Sequence, residues 1–379
     1  MMITLKRYLY DQVLKDVKKK MVFITGPRQV GKTFLAKQIM TEFQAPQYLN
    51  YDNLDDRKII QNMSWKLNAD LLIFDEIHKM KGWKMFLKGV YDGRRENQAI
   101  LVTGSSRLDT FRQSGESLAG RYFHLRLNPI SVKEVEHLYP PLEAIEKLNL
   151  LGGFPEPFLS GSEEEAARWR NQYYTDLIRE DILEFSRINE IRNMRNLLEL
   201  LRGRVASPLS YNSLALDLQV APNTVKRYIQ IIESLHIVFL LRPYHKRLSR
   251  SILREPKLYF YDTGVIEGDE GVKLENTIAV CLLKYVEYLK DTKGKNISLN
   301  YLKTKDGKES DFAIIDNGEV QQLMEVKLSR SKLSRSIIFF SQKFPEAEAF
   351  QLVHNLRHSQ YKEKIHILRA GEWLSGLDV

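Results

Sequence analysis

The sequence predicts an α/β protein in three parts: an N-terminal domain with a parallel sheet, a helical middle with a winged helix, and a C-terminal α/β domain. Three observations carry this. Met21-Val22-Phe23-Ile24-Thr25 is an apolar run that enters a glycine-bracketed loop, after which Phe34 to Met40 has helical spacing. Residues 70–76 and 99–106 are further apolar runs of the kind that parallel strands, covered on both faces, require. Residues 298–302, 310–315 and 323–327 read as short strands separated by turns at Asp306-Gly307 and Gly318.

At 379 residues the chain has room for two or three domains, and the expected divisions are 1–160, 161–262 and 263–379. A single cysteine, Cys281, excludes an intramolecular disulfide and, alone, a zinc site, which suits a reducing compartment. The N-terminal residues reach Asp11 and Lys18-Lys19-Lys20 without an apolar signal region, and no apolar run approaches membrane-spanning length. A soluble, cytoplasmic protein is therefore expected. The net charge of +9 favours an anionic partner such as nucleic acid.

Residues 26–33 read G-x-x-x-x-G-K-T. Gly26 and Gly31 permit backbone conformations in which successive N–H groups converge on phosphate oxygens, so Gly26, Pro27, Arg28, Gln29, Val30, Gly31, Lys32, Thr33 and Phe34 are the expected nucleotide-binding residues. Lys32 can reach the β- and γ-phosphates of ATP, and Thr33 offers a hydroxyl to Mg²⁺ at the positive end of the helix. About forty residues on, an apolar strand ends in Asp75-Glu76. Asp75 is the expected Mg²⁺ residue, and Glu76 is placed to polarise the attacking water. The strand at 99–106 ends in hydroxyls, of which Ser105 is the first candidate to hold that water and Thr103 the second. Arg121 stands just ahead of the strand at 122–127.

This order of phosphate loop, acidic strand end, polar strand end and arginine resembles the AAA+ ATPases. The resemblance implies ATP hydrolysis, and it implies that Arg121 reaches the nucleotide of a neighbouring subunit in a homo-oligomer; a surface arginine or a substrate contact is the competing reading. More narrowly, Asp75-Glu76-Ile77, Thr103-Gly104-Ser105-Ser106, Leu118-Ala119-Gly120-Arg121 and Gly152-Gly153-Phe154-Pro155-Glu156 look like a prokaryotic AAA+ family. Its members join this ATPase to a restriction-endonuclease-like domain, and the resemblance extends over essentially the whole chain.

In the middle, residues 162–203 read as a helical lid, where Arg168, Arg170 and Arg179 are equivalent candidates for sensing the γ-phosphate. Residues 210–232 read as two helices around a tight turn, and two apolar strands follow, in the order of a winged helix. Asn223, Lys226 and Arg227 on the second helix, with the basic stretch 242–254, suit phosphate contacts on DNA; a protein-interaction module is the alternative.

Towards the C-terminus a helical stretch begins at Glu275, and Asp311, Glu325 and Lys327 fall on neighbouring strands. Side chains two apart on a strand share a face, so Glu325 and Lys327 point the same way. Three acids beside a lysine suit a Mg²⁺-dependent phosphodiesterase, with Asp311 and Glu325 on the metal and Lys327 orienting the water. The set looks like the PD-(D/E)XK nuclease motif, with Ser310 where that motif's proline would stand. The expected function is thus an ATP-hydrolysing AAA+ protein acting on DNA with an endonuclease-like C-terminal domain. The alternative is a nucleotide-controlled protein-interaction switch whose nuclease-like domain is inactive.

Overall fold

The apolar runs of the N-terminal part form one parallel sheet from β1 (Met21–Thr25), β2 (Pro46–Asn50), β3 (Leu71–Asp75), β4 (Ala99–Thr103) and β5 (Tyr122–Arg126), in the order β2-β3-β4-β1-β5. The computed structural model describes residues 5–104, 118–178, 188–245, 255–329 and 332–379. Strands β1, β3 and β4 are buried at every position, as near-continuous apolar sequence demands of central parallel strands. The register pairs Asn50 with Asp75, Asp75 with Thr103, Ile24 with Thr103 and Thr25 with Arg126. The carboxyl ends of the strands therefore form one row, the usual place for a ligand in an open α/β sheet.

Helices α1 (Tyr10–Val17), α2 (Lys32–Met40), α3 (Leu54–Asn62) and α4 (Trp83–Asp92) belong to the same part. Asn53 caps α3 by accepting from the Asp55 and Asp56 amides. Phe23, Leu49, Leu72, Phe74, Trp83, Leu87 and Val102 form the core on one side of the sheet, and burial of side chains this size stabilises by about 1.5–3 kcal/mol each.

The chain divides into two compact units, residues 1–128 with 291–293, and residues 129–290 with 294–379. This differs from the three expected parts at both boundaries, and side-chain contacts explain why. Residues 129–134 are tied into the second unit by the fully buried Lys284, which donates to Pro129 O and Ser131 Oγ, each at 3.1 Å, and pairs with Glu134. No cut falls near 262, because the segment 242–244 hydrogen-bonds to Tyr301 through Tyr244 N–H (2.8 Å) and the Arg242 carbonyl (3.2 Å).

In the second unit, helices Tyr211–Leu218 and Pro222–Ser234 precede an antiparallel pair, β6 (Val238–Leu241) and β7 (Lys257–Phe260). A six-stranded sheet follows, with β8 (Ile297–Lys303), β9 (Glu309–Asp316), β10 (Glu319–Lys327), β11 (Glu348–Val353), β12 (Gln360–Lys362) and β13 (Ile365–Arg369) in the order β12-β13-β11-β10-β9-β8. Strands β8, β9 and β10 form an antiparallel meander, and β11 runs parallel to β10. The long helix spans Glu270–Lys293, capped by Asp269. It begins a turn and a half before the expected start at Glu275, because Asp269 accepts the Val272 amide and satisfies the helix end there.

Arg170 is the other correction. It is buried and ion-paired to Asp262 (Nε to Oδ2, 2.8 Å), so it serves the interior of this unit and is not free to sense a phosphate. Arg179 lies outside the described residues, and Arg168 is exposed. The pair occupies space left by two glycines: a Cβ on Gly264 would stand 1.7 Å from Arg170 Nη2, and one on Gly152 would stand 1.9 Å from Asp262 Oδ1. Gly264→Ala is expected to expel the guanidinium and leave a buried carboxylate unpaired, at a cost of about 3–5 kcal/mol. The denaturant midpoint of the variant measures this; an unchanged midpoint would show that the pair relaxes freely.

Candidate functional site

The phosphate loop folds as its sequence requires. Gly26 has φ +140° and Gly31 has φ +100°, both in the range that favours glycine. A Cβ on Gly26 would lie 2.2 Å from the Leu127 carbonyl oxygen, so only glycine lets this turn lie against the chain leaving β5. Lys32, the first residue of α2, is mostly buried and donates to the Gly26 (2.9 Å) and Pro27 (2.6 Å) carbonyls of its own loop. The loop is also supported from outside the motif, since buried Arg7 donates to the Val30 carbonyl and, at 2.5 Å, to the Asn128 carbonyl.

Asp75 is the meeting point of three strands. It accepts hydrogen bonds from Thr33 Oγ1 (2.9 Å), Tyr48 Oη (2.5 Å) and Thr103 Oγ1 (2.6 Å). Thr103, fully buried and opposite Asp75 in the β3/β4 register, thus stands between the acid-bearing strand and the loop-bearing strand β1. Ser105, the first candidate for that place, lies outside the described residues. Tyr48 was not anticipated; its phenol is held neutral, pushed up by burial and by its bond to Asp75. Thr33 and Asp75 present adjacent oxygen donors, the hard ligands that suit Mg²⁺ beside phosphate.

Glu76 follows with φ +56°, an uncommon left-handed conformation for a non-glycine residue, at the point where the chain leaves β3. Burial raises its pKa, with the charge of Asp75 adding and Lys79, 3.3 Å away, opposing. A carboxylate raised this way is a stronger base than a solvated one, which suits it to accept a proton. Arg121 lies at the opposite end of β5 from this row, its guanidinium on Asp92 at 2.8 and 3.1 Å.

In the second unit the four residues expected together are together. Asp311 on β9 accepts the Val326 amide at 2.8 Å, and Glu325 and Lys327 on β10 touch at 2.9 Å. Glu275 joins them from the helix, held by Tyr259 Oη at 2.8 Å. Burial and then the charge of Asp311 push Glu275 and Glu325 up to about 7 each, and burial raises Asp311 as well. Ser310, at the position of the missing proline, donates to the Met324 carbonyl at 3.1 Å and ties β9 to β10.

Two residues in this cluster were not foreseen, Lys257 from β7 and Glu309 from β9: Lys257 Nζ lies 2.5 Å from Glu309, 3.3 Å from Glu275 and 3.9 Å from Asp311. A lysine heading an otherwise apolar strand was the available signal. Among the described residues no three acid, histidine or cysteine side chains stand at metal-holding spacing. The donor set is nevertheless all carboxylate, and Glu325 Oε2 is buried without a hydrogen-bond partner, which suits a hard divalent cation. On the helix Pro222–Ser234, Asn223, Lys226 and Arg227 are exposed, with Arg227 paired to Glu190; most of the basic stretch, 246–254, lies outside the described residues.

Residues 18–136 match the family described as AAA domain. This part of the chain is a P-loop AAA+ ATPase-like domain. Beyond the AAA domain, residues 142–269 match a domain of unknown function, DUF8612. An uncharacterized protein of Mycobacterium tuberculosis is 28% identical over 254 residues, covering 66% of this chain and 56% of the relative, so the match spans little more than half of that relative's length. An uncharacterized protein of Methanocaldococcus jannaschii is 25% identical over 364 residues, covering 86% and 79%. The Holliday junction branch migration motor RuvB of Thermotoga maritima is 18% identical, covering 62% of this chain and 89% of that one, at a TM-score of 0.29 that carries no structural argument. Among the described residues no helix is long and apolar enough to cross a membrane.

Proposed function

We propose that this protein binds and hydrolyses ATP with Mg²⁺ and acts on DNA through the winged helix and the acid cluster of its second unit. The observation that supports the first half is the convergence of Thr33, Thr103 and Tyr48 on Asp75 beside the phosphate loop. In this reading Lys32 would leave its loop carbonyls for the phosphates, Thr33 and Asp75 would hold the metal, and Glu76 would take the proton of the attacking water. Bound Mg²⁺ would supply neutralisation of charge on the β- and γ-phosphates. Gly26 to Phe34 would form the cradle, with Arg7 supporting it through the Val30 and Asn128 carbonyls.

For the second unit, Glu275, Asp311 and Glu325 would hold a divalent cation and Lys327 would orient water or offset phosphate charge. A DNA panel of linear, nicked, single-stranded and branched forms is the test. Binding is expected to weaken steeply between two salt concentrations, as phosphate contacts require. Mg²⁺ or Mn²⁺ is expected to support cutting that falls to background in both Asp311→Ala and Lys327→Ala. Cutting that survives both substitutions would locate the activity elsewhere. One observation favours the second reading, a nucleotide-controlled interaction switch with an inactive nuclease-like domain: Lys257 already neutralises the acids. Absence of DNA binding even at low salt would decide for it.

A further inference from the structure

We infer that Lys257 is a resident cation of the acid cluster that competes with a divalent metal ion for Glu275 and Asp311, an inference that rests on the nuclease-like reading of this cluster. The lysine comes from β7, outside the helix and the two strands that carry the four expected site residues. Its side chain is 2% exposed, and its Nζ faces three carboxylates: Glu309 at 2.5 Å, Glu275 at 3.3 Å and Asp311 at 3.9 Å.

The placement is fixed by the backbone. Buried Asn276, next to Glu275 on the long helix, accepts the Phe260 amide at 2.8 Å and donates to the Phe260 carbonyl at 2.9 Å. One side chain thereby locks β7 to the helix, so Lys257 and Glu275 are delivered to the same place by the same contact. A second sign of a cation site is Glu325, 6% exposed, whose Oε2 has no hydrogen-bond partner while Oε1 takes Lys327.

A divalent ion and an ammonium sharing two carboxylates at these distances repel each other strongly. Loading the metal therefore requires Lys257 to withdraw, and Glu309 offers the place. It is the shortest of the three partners, it is more exposed than Glu275 or Asp311, and Lys303 already stands 2.9 Å from its other oxygen. The lysine can pivot onto Glu309 without leaving carboxylate contact.

The test is a Mn²⁺ titration of the full nucleotide-free chain, read by the spin-resonance signal of free Mn²⁺, with apparent melting temperature as a second readout. Wild type should bind one Mn²⁺ that Asp311→Asn loses. Lys257→Met should bind it at least about tenfold more tightly and should gain more thermal stability from Mn²⁺ than wild type does. Glu309→Gln removes the lysine's alternative partner and should weaken Mn²⁺ binding about tenfold. Mn²⁺ uptake indifferent to Asp311→Asn would defeat the nuclease-like reading itself. Uptake that depends on Asp311 but is equal or weaker in Lys257→Met would overturn only the competition. If Lys257→Met does not fold, Glu309→Gln decides alone, and unchanged or tighter binding there overturns the inference.

Discussion

Lys32→Ala should lose ATP affinity by at least about 100-fold, whereas Glu76→Gln should bind ATP normally and hydrolyse it about 10²–10⁴ times more slowly. The two residues separate binding from chemistry because they face different atoms. Lys32 is an ammonium placed by the loop itself, seated at 2.9 and 2.6 Å on the Gly26 and Pro27 carbonyls that line the same cradle. Charge-assisted bonds to phosphate are worth roughly twice neutral ones, and removing the ammonium forfeits them in ground and transition states alike. Glu76 instead matters when the water gives up its proton. Its raised pKa, set by burial and by Asp75, is lost in the glutamine, whose shape is kept. Titration with a fluorescent ATP analogue and phosphate release under saturating ATP measure the two effects. Unchanged turnover in both variants would rule out the assignment.

The parts of this site that were legible in the sequence are those carried by local spacing. The loop from Gly26 to Thr33 and the strand end Asp75-Glu76 are contiguous segments whose chemistry needs no knowledge of neighbours. Arg7 and Tyr48 were not legible. Arg7 precedes the Val30 carbonyl by 23 residues and the Asn128 carbonyl by 121, and Tyr48 reaches Asp75 only because β2 and β3 are adjacent in the sheet. The acid cluster divides the same way. The i, i+2 relation of Glu325 and Lys327 follows from strand geometry, and Asp311 follows from the hairpin. Lys257 arrives from a different supersecondary unit, and no periodicity could place it there. The two compact units depart from the expected divisions for the related reason that Lys284 and Tyr301 join segments far apart in sequence.

Arg121→Ala should retain ATP affinity while losing about 10³-fold or more in hydrolysis, and mixing it with Lys32→Ala should restore part of the activity. In the β1/β5 register Tyr122 pairs with Met21 and Arg126 with Thr25, so Arg121 lies at the amino end of a strand whose carboxyl end adjoins the phosphate loop. Four residues of strand separate the two rows by about 13 Å, too far for the guanidinium to touch phosphates held by its own loop. A role in hydrolysis must therefore be exercised on a second copy of the chain. The bond to Asp92 does not prevent this, because exposed ion pairs contribute little to stability and can be exchanged at a subunit contact. Specific activity should accordingly rise with protein concentration. In the mixture, each Lys32→Ala subunit keeps a sound Arg121 and each Arg121→Ala subunit keeps a sound phosphate loop, so interfaces that bring the two intact halves together regain turnover. A protein that stays monomeric at full activity, or a mixture no more active than its components, would return Arg121 to the surface pair it makes with Asp92.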